Sequence, residues 1–251
     1  MEKRKINIDV HVICWNEEKI LPFAIQYWKR YARHVYVYDN GSDDKTLEIL
    51  AQYPDWITVK RFGTGGIDNH EYLEVKDNCW KGSDADWVVI SDMDECLYSK
   101  DLFDEIEKLE KRGVNIIAPQ WVECWGWKFP EYNEEKLGHE LVEKPMKSMS
   151  VWHHKCVLLK PSEVKEINYS VGAHLCRPKG KTKMVYMGSR IFLVHMKFLS
   201  PEYVMERYKA LQGRILASNG SNHSRHYFRT EEDIMSEFKT KLADDKDRIE
   251  I

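Results

Sequence analysis

Three carboxylates stand directly behind an apolar run in VVISDMDECLY, the stretch from Val88 to Tyr98. Asp92, Asp94 and Glu95 repel one another, and none tolerates burial without compensation. In an extended segment Asp92 and Asp94 project to one side and Met93 to the other. Two carboxylates converging at a strand end make a hard-oxygen site. Such a site suits Mg2+ or Mn2+, which bind few protein carboxylates together with water and substrate phosphates. His195 closes a second apolar run, IFLV, and imidazole suits Mn2+ better than Mg2+. His174 is a weaker candidate of the same kind. The pair His153–His154 reads as alternating sides of a strand. Two more polar clusters, WNEE from Trp15 and DNGSDD from Asp39, also follow strand-like runs.

These groups need a scaffold that gathers strand ends. Alternation and β-branching predict strands at Ile6–Cys14, Val35–Tyr38, Ile57–Phe62, Trp87–Ser91 and Asn115–Pro119. Helical spacing predicts helices over Glu18–Tyr31, up to Leu50 with Asp43 or Asp44 as cap, over Asn69–Trp80, and over Asp101–Arg112 with Gly113 closing it. The GTGG at Gly63–Gly66 lacks the P-loop lysine pattern and reads as a turn. This βαβαβαβαβ order specifies an open, mostly parallel α/β sheet flanked by helices, whose ligands bind beyond the carboxyl ends of the strands. WNEE, DNGSDD and DMDE all fall at such ends. The second half is less regular. WVECWG (Trp121–Gly126) is aromatic and polar together, Val151–Leu159 and Met184–Tyr186 read as strands, Pro201–Ala217 as a helix, and the tail from Thr230 as a charged amphipathic helix.

Composition narrows the function classes. A chain of 251 residues fits one α/β domain with a small appendage. Its 38 basic and 41 acidic residues give a formal charge of −3, which does not mark a nucleic-acid binder. No apolar run approaches the roughly 20 residues that span a bilayer, and the basic N-terminus lacks a signal-peptide core. The expectation is a soluble cytoplasmic protein, at most peripheral at the inner face of the membrane. Six scattered cysteines without a CxxC pair read as reduced thiols.

Together these residues resemble nucleotide-sugar glycosyltransferases of the GT-A fold, in particular the family-2-like branch. Cys14-Trp15-Asn16-Glu17 resembles the first nucleotide loop, Asp39 to Asp44 the D-[DN]-G-S-x-D element, Asp92-Met93-Asp94-Glu95 the DxD motif, and His195-Met196-Lys197 the H-x-K after the last core strand. The likeness covers roughly residues 6–200. It implies a GT-A domain over 1–200, with a nucleotide-binding half to about 120 and an acceptor half from about 121, followed by a helical extension over 201–251. It implies that Asp39 accepts a hydrogen bond from the base, typically uracil, and that Asn16 and Glu17 lie near base and ribose. Asp92 would face the ribose or the metal, Asp94 would hold Mn2+ or Mg2+, and His195 would complete the metal's shell. Lys76 and Lys197 would approach the diphosphate. The implied partners are a nucleotide-diphosphate sugar donor and a glycan or other hydroxyl acceptor.

Sugar transfer builds negative charge on the diphosphate leaving group, which a divalent cation stabilises. The acceptor hydroxyl must lose a proton, and in an inverting enzyme a carboxylate on the opposite face takes it. Glu123, among the tryptophans of WVECWGW, is the first candidate base, and Glu95 the second. Rival readings are a haloacid-dehalogenase-type phosphatase or phosphotransferase, whose DxDx[TV] motif SDMDEC approaches but for Cys96, a nucleotidyltransferase, for which CWNEE is neither Gly-rich nor basic, and a non-catalytic sugar-nucleotide-binding module.

Overall fold

A computed structural model describes residues 5–63, 65–147, 155–186, 189–217, 227–243 and 248–251. The expected residues His153–His154 and the start of the Val151 strand lie outside them. In chain order the elements are β1 (Ile8–Cys14), α1 (Leu21–Trp28), β2 (Ala32–Asp39), α2 (Thr46–Leu50), β3 (Ile57–Arg61), α3 (Asn69–Asn78), β4 (Trp87–Asp92) and β5 (Glu95–Tyr98). Then come α4 (Leu102–Lys111), β6 (Ile116–Ala118), β7 (Gln120–Trp125), β8 (Lys144–Lys147), β9 (Leu158–Leu159), β10 (Val164–Glu166), β11 (Lys179–Gly180), β12 (Met184–Tyr186), β13 (Phe192–Phe198), α5 (Pro201–Ala217) and α6 (Glu231–Ala243).

The large sheet runs β12-β6-β9-β4-β1-β2-β3. β1 pairs parallel with β2 and β4, and β2 with β3, as the βα alternation requires. β6 does not join β4 directly. Two-residue β9 lies between them, antiparallel to both. It is the end of the strand expected over Val151–Leu159, and its place between β4 and β6 is a long-range pairing that no local pattern reports. The mixed α/β architecture with a large, mostly parallel sheet is otherwise the expected one. Val88, Val89 and Ile90 of β4 are buried, consistent with a strand covered on both faces. Pro22 sits in the first turn of α1, and Gly113 takes φ +75° just past α4, a conformation that favours glycine.

A second sheet, β5-β13-β7-β8, stands beside the first. The chain passes from one to the other at Met93–Asp94, between β4 and β5. Met93 is buried in the main core and anchors that turn. Helices α5 and α6 pack on this second sheet. Trp125 stacks on Phe198, centroids 4.1 Å apart and planes 3° from parallel, and meets the Phe238 ring edge-on at 5.0 Å. No helix among the described residues is long and apolar enough to cross a membrane.

His11, in the middle of β1, stacks on Tyr36 at 4.9 Å and contacts the Tyr38 hydroxyl. Burial lowers its pKa to about 4. The folded state therefore keeps His11 neutral where the unfolded chain is protonated. That contribution is complete above pH 6.5 and is lost as the pH falls toward 4. Between pH 7 and 5 it amounts to about 2 kcal/mol. In urea unfolding, His11→Phe is expected to flatten the loss of stability over this range by that amount. An unchanged pH slope would contradict the assignment.

Candidate functional site

The strand ends and α5 enclose a cavity of about 580 Å3. Its charged lining comes from both sheets and from α5. Asp92, Asp94 and Glu95 stand at the sheet crossing, Glu123 on β7, His195 and Lys197 on β13, Lys76 on α3, Lys155 before β9, and Arg207 and Arg214 on α5.

Sheet register explains the grouping. His195 lies opposite Glu95 on one side and opposite Glu123 on the other. Directly opposed residues share a face of the sheet, so Glu95, His195 and Glu123 form one cross-strand row. Asp94 joins from the turn, held by the Met196 N–H donating to its carbonyl at 2.8 Å. His195 Nε2 stands 3.6 Å from Asp94 Oδ2, and Nδ1 4.0 Å from Glu123 Oε1. One ligand atom each of Asp94, Glu95 and His195 lies within 4.8 Å of the others. Buried Nδ1 of His195 has no hydrogen-bond partner among the described residues. Two carboxylates and an imidazole, whose Nε2 faces Asp94, fit a hard or borderline divalent cation.

Asp92 is placed differently from the extended-segment expectation. The chain turns at Met93–Asp94, and Asp92 stands outside the group formed by Asp94, Glu95 and His195, although both aspartates line the cavity. Both Asp92 oxygens go to lysines, Oδ1 to Lys76 at 2.7 Å and Oδ2 to Lys155 at 3.0 Å. Lys155 also binds Glu95, and its ammonium lies 5.6 Å from the Trp121 ring centre. Burial alone would raise the Asp92 carboxyl, but Lys155 and Lys76 hold it far below the usual range. Burial raises Glu95 against the pull of Lys155. At Asp94 burial is overcome by Arg207 and His195, which keep it ionised. The protein's own cations therefore supply much of the compensation that the DMDE cluster needs.

Arg207 forks onto Glu17, with Nη2 to Oε1 at 2.7 Å, and stands 3.6 Å from Asp94. Burial pushes Glu17 up to about 7 even beside that guanidinium. Arg214 lies 4.0 Å over the Trp15 ring and donates to the Gly65 carbonyl at 2.9 Å and to the Asn40 side chain. It thereby ties the loops after β1, β2 and β3 to α5. Lys197 reaches among aromatic rings, 5.1 Å from Tyr208 and 5.4 Å from Phe198, and burial lowers its pKa.

Among the described residues, Asn16 and Asp39 do not line the cavity; Asn16 lies between the lining residues Trp15 and Glu17, and Asp39 shapes the neighbouring loop after β2. Asn16 adopts φ +50°, a left-handed conformation asparagine tolerates, and its side chain binds Asp43. The Asp39 carboxylate accepts from the Gly41 and Ser42 N–H groups at 3.0 and 3.1 Å. His174 lines the cavity wall, apart from the Asp94–Glu95–His195 group.

Lys155, Arg207 and Arg214 escaped the sequence reading. Arg207 is 190 residues from Glu17, and nothing in a helix sequence reports such a partner. Lys155 carried a faint signal, a lysine placed directly before the apolar CVLL. The segment after Pro201, read as an extension, closes the site through α5.

Among solved structures the chain is similar to S. aureus TarS 1-349, at 15% identity over 93% of this chain and 71% of that one, with a TM-score of 0.48. A structure of TarS 1-349 in complex with UDP-GlcNAc matches at 16% identity over 93% and 72%, with a TM-score of 0.45. Glucosyl-3-phosphoglycerate synthase from Mycobacterium tuberculosis, in complex with Mn2+, UDP and phosphoglyceric acid, matches at 17% identity over 46% and 43%, with a TM-score of 0.34. The search of curated proteins returned no match. The family model for glycosyltransferase family 92 matches residues 10–249.

Proposed function

Because the chain belongs to glycosyltransferase family 92, we propose that this cavity binds a nucleotide-diphosphate sugar, in the first instance a UDP-sugar, and transfers the sugar to a hydroxyl of a glycan acceptor with inversion. The observation that carries the reading is the Glu95–His195–Glu123 row of the second sheet, with Asp94 beside it just past the carboxyl end of β4, inside a cavity large enough for a ligand. Membership of a glycosyltransferase family removes the phosphatase and binding-module alternatives. The likeness of the four motifs to the family-2-like branch is kept as a proposal about the donor site alone.

Asp94, Glu95 and His195 would hold Mn2+ or Mg2+. When bound, such a cation supplies Lewis-acid stabilisation of the charge that grows on the leaving diphosphate. Lys76 and Lys155, fixed by Asp92, add positive charge on the same side without reorganising during the reaction. Arg207 anchors Glu17 and so holds the first loop against α5. Glu123 accepts the proton of the acceptor hydroxyl, with the His195 ring beside it, Nδ1 4.0 Å from its carboxylate. Glu95, engaged by Lys155, serves the charge cluster rather than the acceptor.

The test is a thermal-shift and transfer assay with UDP-, GDP- and dTDP-sugars, with and without Mn2+. At a hundredfold excess over Kd a ligand that binds only the folded state stabilises by about 2.7 kcal/mol, or roughly 5–10 °C for a chain of this size. The shift is expected for a UDP-sugar with Mn2+, and product NMR is expected to show an inverted anomeric centre. Failure of every nucleotide sugar to stabilise the protein would reject the donor class. Retention at the anomeric carbon would reject Glu123 as base.

A further inference from the structure

Cys156 follows the cavity-lining Lys155, Cys176 lies two residues past the cavity-lining His174, and their Sγ atoms are 2.8 Å apart. The approach does not rest on the side chains alone. Tyr169 bridges Cys176 through its backbone, while its hydroxyl donates to the carbonyl of Cys156. The two cysteines are therefore triangulated by one tyrosine within a single apolar cluster, with Met184 Sδ 3.5 Å from Cys156. Between Tyr169 and Cys176 runs a tight turn in which the Ser170 N–H donates to the Leu175 carbonyl at 2.8 Å. Its residues Val171 to His174 line the cavity, and Ala173 holds φ +56°. Cys156 directly follows Lys155, the cation on Asp92 and Glu95. All six cysteines are free in this structure.

We propose that Cys156 and Cys176 are a reversible disulfide site, closed by a small-molecule disulfide such as oxidised glutathione, and that the bond staples the 170–175 wall of the cavity to the segment that carries Lys155. The half-exposed Cys176 attacks first, since contact with Cys156 lowers its pKa while the buried Cys156 is raised. The Cys176 thiolate displaces one glutathione thiolate and forms a mixed disulfide. Cys156 then loses its proton, attacks the Cys176 sulfur and releases the second glutathione. Two protein thiols are oxidised, one glutathione disulfide is reduced, and two thiols leave. The bond does not depend on the proposed transfer reaction.

The experiment equilibrates the full chain in glutathione redox buffers, traps free thiols by alkylation and maps the peptides by mass. Oxidation is expected to lower the free thiols from six to four and to give one cross-linked peptide pair, Cys156 with Cys176. It should raise Tm by about 5–10 °C, since closing a loop of this length restricts the unfolded chain. Cys176→Ser should lose both the cross-link and the Tm increment yet fold normally under reducing conditions. Six free thiols at high oxidised glutathione, a stable glutathione adduct on Cys176 with Cys156 still free, or a cross-link between other cysteines would each overturn the proposal. Cys156→Ala serves as the second variant and should leave Cys176 trapped as the glutathione adduct.

Discussion

Asp94→Asn is expected to lower kcat/KM for sugar transfer by about 10²–10³-fold, the loss seen when one preorganised electrostatic group is removed from an active site. The substitution keeps the shape of the side chain and removes only its charge. Asp94 is the carboxylate best placed for this role, because among the described residues it faces both His195, at 3.6 Å, and Arg207, at 3.6 Å. The fold should survive, since Arg207 keeps its fork on Glu17. The variant should also lose the Mn2+-dependent part of the thermal shift while binding UDP weakly without metal. A variant that transfers sugar at the wild-type rate with unchanged Mn2+ dependence would show that the cation and the charge reside elsewhere. Asp92→Asn separates the two acids of the motif. Its carboxylate is committed to lysines, so the variant should lose stability and donor affinity while keeping more of its response to Mn2+ than Asp94→Asn does.

Lys155→Met is expected to cost about 3–5 kcal/mol of stability, the usual penalty for removing one partner of a buried ion pair. That corresponds to a fall in Tm of roughly 10 °C for a chain of this length. Asp92 keeps Lys76, whereas Glu95, at 3% exposure, loses the ammonium that holds it. The sign of the pH dependence follows from the direction of the Glu95 shift. Burial already raises its folded-state pKa. A carboxyl raised on folding contributes stability below its unfolded value of about 4.3 and loses it as the pH rises through the folded value. Without Lys155 the upward shift grows, so the deficit of the variant should be larger at pH 8 than at pH 5. Adding Glu95→Gln should recover much of the loss, because the double variant buries no uncompensated charge. Calorimetric melts of the three proteins at both pH values measure this. A single variant melting within a degree of wild type would show that Glu95 does not depend on Lys155.

Much of the sheet was legible because its signals are local. β13 and α5 carry their own periodicity, and the observed α5, Pro201–Ala217, has the expected bounds. The helix expected over Glu18–Tyr31 shortens to Leu21–Trp28, because turns at both ends replace its first and last residues. The strand ending at Leu159 was legible, but its insertion between β4 and β6 was not, since strand order is a long-range property.

The candidate site divides along the same line. By itself the sequence determined which residue types gather at the strand ends. The βα alternation fixes where WNEE, DNGSDD and DMDE emerge, and Asp94 and His195 follow from apolar strands running into polar groups. Only the tertiary structure decided how those charges are partnered. Asp92 is partnered by Lys76 and Lys155 and Asp94 by His195 and Arg207, the register of β13 puts His195 between Glu95 and Glu123, and Lys155 and Arg207 arrive from far along the chain. The physical reason is range. Backbone periodicity acts over a few residues and is written in the local sequence, whereas compensation of buried charge acts through space between residues that only folding brings within a few ångströms.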